Sequence, residues 1–563
     1  MKKNILFLLT LLSLSLTTRA TQPSGTLPIM YIQTTDGASI TSCDTYLKAT
    51  YWIVATGADS VYAFASQTAP DTLQIKGRGN WTWNGFDKKP YRLKLTNKTA
   101  LLGLKKNKHF ALMAGADDNK AFLRNTVGFW LSEQIGMAWT PKQKPVEVVL
   151  NGDYIGLYFL TETIRIDKNR VNIVEQPDNI TNTDSITGGW LVEIDNYNTD
   201  PHITVSEGGS GYSIYFTYKT PEVLSSAQES FLSTEMNRLN TLIYGDKNSD
   251  ELWNYLDIDA LAKYYIVCEI MDDYESFHGS CYLYRDMGAG KKWMFGPVWD
   301  FGSAFNYTKS QYCYEGREWH QVWIAEICKF PAFQTRVKEL WADFAANHYN
   351  DMFTYIDSFK NQIASAAQTD AERWPDYGNS DLDSRTQNVK TLLRGTKTWL
   401  ASQWGDDDSN TWTIWFKDNG TPAWENIHCY IYDYSISGYD GNYQPLGNWP
   451  GTAMQTVEYN GETYYSITFT PAYTFSTDAR IIFNNSGSGS GNQTENLVLV
   501  NKCIYNRDGV ADEIPTTAAT LLFDESAPVT YYTLQGMQIP EPLIGQPCLR
   551  HQSTRTQLIL IPN

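Results

Sequence analysis

Apolar and polar positions alternate with a period of two through much of residues 26–115, which predicts short strands joined by turns. Leu73-Gln74-Ile75-Lys76 is one such run, stopped by Gly77-Arg78-Gly79-Asn80, and Tyr91-Arg92-Leu93-Lys94-Leu95 is another. Residues 118–137 change to a helical spacing that includes Phe122, Val127 and Leu131. Val146 to Leu150, Asn151-Gly152 and Ile155 to Leu160 predict a hairpin, because Asn-Gly supplies the positive φ angles of a tight turn. Residues 256–271 are apolar nearly all round, as expected of a buried helix. Residues 330–404 read as helix in several pieces, with Pro375 at one break.

The pattern changes near residue 405. Asp406-Asp407-Asp408-Ser409-Asn410 reads as a polar linker. Beyond it, strands about ten residues apart, rich in Trp, Tyr and Gly, predict a small antiparallel β-sandwich. Ser486 to Gly491 is a flexible loop, not a phosphate cradle, since neither a following Lys-Ser/Thr nor a parallel β-α unit accompanies it. Two weak strand signals, Tyr531 to Leu534 and Gln557 to Ile561, mark the tail, and no internal repeat is visible.

The first twenty residues have the three parts of a secretory signal: Lys2 and Lys3, an apolar run from Ile5 to Leu16, and Thr18-Arg19-Ala20 as cleavage site. The alternative is a single membrane anchor, but the run is too short for about 30 Å of hydrocarbon. The expectation is a secreted or cell-surface protein with no membrane span in the mature chain. The division expected is 1–20 signal, 21–405 first domain, 406–510 sandwich and 511–563 tail. At 563 residues the chain exceeds one ordinary domain. A net charge of −17 argues against nucleic acid and anionic membrane as partners, since both require a basic face. Eight cysteines without a Cys-x-x-Cys are too sparse for a disulfide framework, and the histidines offer no structural zinc site.

The most informative stretch runs from Cys268 to Phe305. The buried helix ends on Asp272-Asp273, where the macrodipole disfavours carboxylates by up to about 1 kcal/mol each. Something should compensate, and a bound cation is one candidate. A strand (Cys281 to Arg285), a glycine turn and a second strand (Lys292 to Phe295) follow, so Asp273 and Glu275 lie at the same end of the hairpin as Asp300. Converging carboxylates suit a hard cation such as Mg²⁺. Phosphoryl transfer uses such a layout, with one acid on the metal and another at the attacking hydroxyl, and Asp300-Phe301-Gly302 fills the slot of the kinase Asp-Phe-Gly. The plain structural alternative is that these acids cap turns and pair with Arg285 or Lys292. Similarly, Lys89 could be a solvated strand residue, Glu162 and Glu193 hairpin-end pairing residues, and His278 a hydrogen-bonded loop residue.

These stretches resemble the spore-coat protein H (CotH) kinase family. The resemblance runs, in order, through Arg78-Gly79-Asn80, Lys88 to Leu95, Asp117 to Arg124-Asn125, Gly156-Leu157-Tyr158 with Glu162, Gly189 to Asp195, Tyr282 to Arg285 and Gly296 to Asp300. It covers about residues 26–405 and implies an α+β atypical protein-kinase-like fold, ATP, a divalent metal (Mg²⁺ or Mn²⁺) and phosphorylation of an extracytoplasmic protein. Carried over by position, Asp300 is the metal-binding acid, Lys89 and nearby Arg78 reach the nucleotide phosphates, and Glu275 with Ser280 stands where the family has a catalytic Asp and an Asn. Asp273 is the alternative catalytic acid. Ser280 is a poorer metal ligand than Asn, and Gly302 stands where a second Asp is common.

Residues 411–505 offer aromatic platforms and amides, which answer the flat C–H faces and hydroxyl rim of sugars. Their order resembles a starch-binding carbohydrate-binding module of family twenty-six. That implies α-glucan as ligand, with Tyr430, Tyr432 and Trp449 stacking and Asn485 and Gln493 in the polar region. Alternation along the strand leaves open whether Tyr430 or Tyr432 packs inward instead. Thr530 to Met537 resembles the C-terminal sorting region of Bacteroidetes-type secreted proteins. Three functions compete: an exported kinase-fold enzyme held on starch, a non-catalytic surface glycan-binding or adhesion protein with a degenerate kinase-like scaffold, and a glycoside hydrolase with paired acids roughly 5 to 10 Å apart.

Overall fold

The computed structural model describes residues 21–514, apart from 196, 198, 209, 317, 318, 380, 406–411, 437–440, 460, 470, 472, 474, 488 and 490, together with 529–532, 538–539, 547–552 and 555–560. The expected signal segment, the expected linker 406–410, and the tail residues 533–537 and 545–546 lie outside the described residues. The chain divides into two compact units between residues 406 and 407.

In the first unit the period-two segments close into a barrel. Its strands are β1 (Ile29–Thr34), β2 (Leu47–Val54), β3 (Asp71–Gly77), β4 (Tyr91–Thr99), β5 (Asn107–Met113), β6 (Gln143–Leu150) and β7 (Asp153–Glu162), in the order β1-β2-β3-β4-β5-β7-β6. Inward-facing Leu73, Ile75, Leu93 and Leu95 fill it together with Met30, Ile53 and Val148. The β6–β7 turn is the predicted hairpin, with Asn151 at φ +52° and Gly152 at φ +84°. Closure comes from a parallel pairing, Ile29↔Glu147 through Ile32↔Leu150.

A second sheet, in the order β12-β11-β8-β10-β9, comprises β8 (Trp190–Ile194), β9 (His202–Ser206), β10 (Ser213–Thr220), β11 (Cys281–Arg285) and β12 (Met294–Phe295). The helices are α1 (Trp81–Gly85), α2 (Leu123–Gln134), α3 (Ser226–Ile243), α4 (Ile258–Met271), α5 (Ile324–Ile327), α6 (Pro331–Asn347), α7 (Asp351–Arg373) and α8 (Leu382–Trp404). Ser225 and Gln228 form a reciprocal capping box on α3, and Pro331 opens α6 where its missing N–H costs nothing. As its sequence leads one to expect, α4 is buried over most of its surface, with only Ile258, Asp259 and Lys263 partly exposed, and is packed by α2, α6 and α8. Barrel and helices are pinned together by a buried ion pair, Lys88 Nζ to Asp370 (2.7 Å), whose carboxylate also accepts from the Leu157 N–H at 2.8 Å. Among the described residues, no helix is long and apolar enough to cross a membrane. Cys43, Cys268, Cys281, Cys313, Cys328, Cys429 and Cys503 are free thiols.

The second unit holds a two-sheet sandwich. One sheet runs β16-β17-β13-β20-β21 and the other β15-β14-β18-β19. The strands are β13 (Trp412–Phe416), β14 (His428–Tyr432), β15 (Thr452–Ala453), β16 (Gln455–Tyr459), β17 (Glu462–Phe469), β18 (Arg480–Asn484), β19 (Leu497–Val498), β20 (Cys503–Asn506) and β21 (Gly509–Glu513). Ile414, Phe416, Cys429, Ile431, Ile481 and Phe483 fill the space between the sheets. The tail forms a sheet of its own, β23-β22-β24-β25, from β22 (Val529–Tyr532), β23 (Gln538–Ile539), β24 (Pro547–Gln552) and β25 (Arg555–Leu560).

Candidate functional site

The Asp-Phe-Gly segment follows β12 and is anchored from α2. The Phe301 N–H donates to Asn125 Oδ1 at 3.1 Å, and the Phe301 ring is buried against Phe129. Gly128 makes this seat, since a Cβ there would meet the ring at 2.1 Å. With Phe301 turned inward, Asp300 turns outward. Its φ of +58° is a left-handed conformation that Asp tolerates better than most residues.

On the other flank, α4 ends at Asp272, itself left-handed at φ +48°. The countercharge expected there is an amino group: Lys309 Nζ lies 2.9 Å from Asp272 Oδ1 and also bonds Glu269, all three side chains buried. This pair of carboxylates therefore needs no metal. Asp273, also buried, accepts from the Ser303 hydroxyl, and the same Ser303 Oγ accepts from the Glu275 N–H at 3.2 Å. Ser303 thus fastens the loop after α4 to the Asp300 segment, and the two flanks of the β11–β12 hairpin meet.

They meet at a cavity of about 1100 Å³ lined by Arg78, Asp117, Glu275, Ser280 and Asp300, among others. Burial, then Asp300 and Asp117, push the Glu275 carboxyl up to about 7. Enclosure and Asp117 also raise Asp300, against the pull of Arg78. Burial raises Asp273 well above the usual range. The Arg78 guanidinium lies 5.5 Å from the Trp299 ring centre; burial lowers its pKa and Asp300 opposes the shift. Arg124 braces the wall, donating to the carbonyls of Asp117 (2.8 Å) and Ala304 (3.0 Å) and to Asn306 Oδ1 (2.7 Å).

Two sequence candidates lie elsewhere. Lys89 is not among the residues lining the cavity; its Nζ donates to the Trp83 carbonyl at 2.7 Å. Its neighbour Lys88 lines the cavity but is held by Asp370. Asp273 lies outside the lining, below Ser303. Glu162 pairs with buried Arg170, and His278 Nδ1 meets the His320 carbonyl oxygen at 2.9 Å. Glu193 does line the cavity, 2.8 Å from Lys219, and burial raises its carboxyl to about 7.

The cavity offers carboxylate and hydroxyl oxygens to a divalent cation. Among the described residues, no three acidic, His or Cys side chains form a group able to hold a metal by themselves. Mg²⁺, however, commonly takes only one or two protein carboxylates and completes its shell from phosphates and water. Asp300 lines the cavity together with the Ser280 hydroxyl, and enclosure and Asp117 raise its carboxyl, so this pair fits that partial kind of site and a cation there would offset the crowded negative charge.

On the sandwich, β14 alternates with Cys429 and Ile431 inward, so Tyr430 and Tyr432 both face outward. Their ring centres are 5.8 Å apart, and Trp449 stands edge-on to Tyr430 at 5.4 Å, 37% exposed. The Trp449 loop is held by a hydrogen bond from Asn484 Nδ2 to the Pro450 carbonyl (3.0 Å). Gly451, at φ +88°, lets it approach β14, since a Cβ there would strike the Cys429 carbonyl oxygen at 2.1 Å. Gln444 donates to the Tyr430 hydroxyl at 2.8 Å. Asn485 and Gln493 flank the 486–491 loop, where Asn485 Oδ1 accepts from Gly487 and Gln493 Oε1 accepts from Gly489.

The sequence reading missed Asp117 and Arg124 as wall residues and Lys219 as the partner of Glu193, none of which carries a local signal.

A family model described as CotH kinase protein matches residues 75–400, more than half of the chain. A second, described as starch-binding module 26, matches residues 414–498. No curated protein matches the chain.

Proposed function

The chain belongs to the CotH kinase family and carries a starch-binding module of family twenty-six, and from that premise we propose an exported, ATP-dependent phosphotransferase held on α-glucan. Its acceptor is a protein hydroxyl. The observation that carries this reading is the meeting of Glu275 and Asp300 from opposite flanks of one hairpin at a cavity that Arg78 also lines.

In this reading Asp300 and Ser280 would hold a divalent cation, which would supply positive charge to offset that of the phosphates. Arg78, held over Trp299, binds the phosphates. Glu275 takes the proton of the acceptor hydroxyl. That oxygen forms a bond to the γ-phosphorus, the bond from phosphorus to the bridging oxygen breaks, and ADP leaves. A carboxyl near 7 suits a general base at neutral pH. Asp273 fixes the loop through Ser303, and Lys89 would have to leave the Trp83 carbonyl to take part. Tyr430, Tyr432 and Trp449 stack on α-glucan with Asn485 and Gln493 at its polar rim, which raises the effective concentration of glycan-associated acceptors.

A second reading, a non-catalytic glycan-binding surface protein, is favoured by the departures at Glu275 and Ser280 and by the engagement of Lys88 and Lys89 elsewhere. The test incubates the full chain with γ-labelled ATP and Mg²⁺ or Mn²⁺, with and without a secreted-protein extract. Transfer abolished by Asp300→Asn supports the enzyme. No transfer, no nucleotide-induced thermal shift and intact starch retention would leave only the second reading.

A further inference from the structure

Tyr434 stands just past the end of β14, two residues beyond Tyr432, and is 68% exposed. Its ring centre is 5.4 Å from that of Tyr432, which continues the spacing of Trp449 to Tyr430 (5.4 Å) and Tyr430 to Tyr432 (5.8 Å). Three tyrosines therefore stand at alternate positions of one chain segment, each ring near the next, with Trp449 against Tyr430. A lone exposed aromatic would need no explanation. Tyr434 differs in being the end of a series and in standing on a fixed backbone.

The fixing comes from Asp433, which is fully buried. Its carboxylate accepts from the Ser435 N–H (2.9 Å), the Ser476 N–H (2.6 Å) and the Ser476 hydroxyl (2.7 Å). Its backbone exchanges both hydrogen bonds with Tyr443. A buried carboxylate supplied with three donors locks the residues on either side of it. Tyr434 is thus presented on a chain already ordered before any ligand arrives, which spares the binding step that entropy.

We propose that Tyr434 is an additional sugar-stacking subsite, so that the module discriminates α-glucans by chain length. This rests on the α-glucan reading of Tyr430, Tyr432 and Trp449. A short oligosaccharide covers those three rings; only a longer one reaches the fourth. Extra contact at the end of a series adds affinity for the long ligand alone.

The experiment titrates the full chain, and its Tyr434→Ala, Tyr434→Phe and Trp449→Ala variants, with maltotriose and maltoheptaose by calorimetry. The ratio of maltoheptaose to maltotriose affinity should fall about 5- to 10-fold in Tyr434→Ala, as the loss of one stacking contact implies. Tyr434→Phe should keep the ratio, because the face and not the hydroxyl does the stacking. A parental ratio in Tyr434→Ala, with Trp449→Ala binding neither sugar, overturns the fourth subsite and leaves the three-ring site standing. A parent chain that binds neither sugar overturns the α-glucan reading itself, and this proposal with it.

Discussion

The Phe301 ring occupies the space that any side chain on Gly128 would need: a Cβ there would lie 2.1 Å from Cε2. The helix that supplies Gly128 also supplies Asn125, which takes the Phe301 N–H. The direction in which Asp300 points is therefore set by α2, more than 170 residues earlier in the chain.

Gly128→Ala should displace Phe301 and with it Asp300. Overpacking of a filled core costs roughly 1–3 kcal/mol, so thermal melts should fall by several degrees and nucleotide-induced stabilisation should vanish. Gly395→Ala is the matched comparison. It lies within α8 with open space at its Cβ position, and helix propensity predicts a gain of up to about 1 kcal/mol. Equal behaviour of the two variants would contradict the role given to Phe301.

Glu275 is expected to act as a base, so it must be ionised. Burial and two negative neighbours raise its carboxyl to about 7 before a cation binds, and a cation on Asp300 lowers it from there, so transfer should rise with pH along an acidic limb at or below that value. Asp117→Asn removes one of those negative charges without touching Glu275 itself. Its pH–rate profile should keep the same shape with the acidic limb moved to lower pH. An unmoved limb would show that another group governs it.

Much of this site was readable because its parts are short and local. The Asn151-Gly152 turn, the all-apolar run of α4 and the β11–β12 hairpin each carry their signal within a few residues. What was not readable depends on distant partners. Barrel closure joins residues 29–32 to 147–150 in parallel, which no turn announces. The acids at the end of α4 suggested a cation, and the cation is Lys309, 37 residues downstream of Asp272. Lys88 and Lys89 are adjacent in an alternating segment. Only the position of Asp370 on α7 and of the Trp83 carbonyl decides where each amino group goes.

The Lys88–Asp370 pair is buried on both sides, so removing one partner strands the other. Asp370→Leu or Lys88→Met should each cost about 3–5 kcal/mol, measured as a lower urea midpoint. The double variant Lys88→Met/Asp370→Leu should recover part of that loss, because the apolar pair leaves no buried charge behind. The Leu157 N–H then loses its acceptor, so recovery should stop short of the parent. Full additivity of the single losses would argue against a coupled pair.

On the sandwich, Gly451 decides whether Trp449 can be presented at all. Its φ of +88° strains any other residue, and a Cβ would stand 2.1 Å from the Cys429 carbonyl oxygen on β14. Gly451→Ala should push the loop off the strand and stretch the Asn484 to Pro450 hydrogen bond that fixes it. Trp449 would then leave the edge of Tyr430, and retention on insoluble starch should fall at least as far as in Trp449→Ala. The core of the sandwich, built from Ile414, Phe416, Ile431, Ile481 and Phe483, does not include this loop. Far-ultraviolet circular dichroism should therefore be unchanged while binding is lost. Retention at the parental level in Gly451→Ala would mean that the sugar does not need Trp449 at the place where the loop holds it.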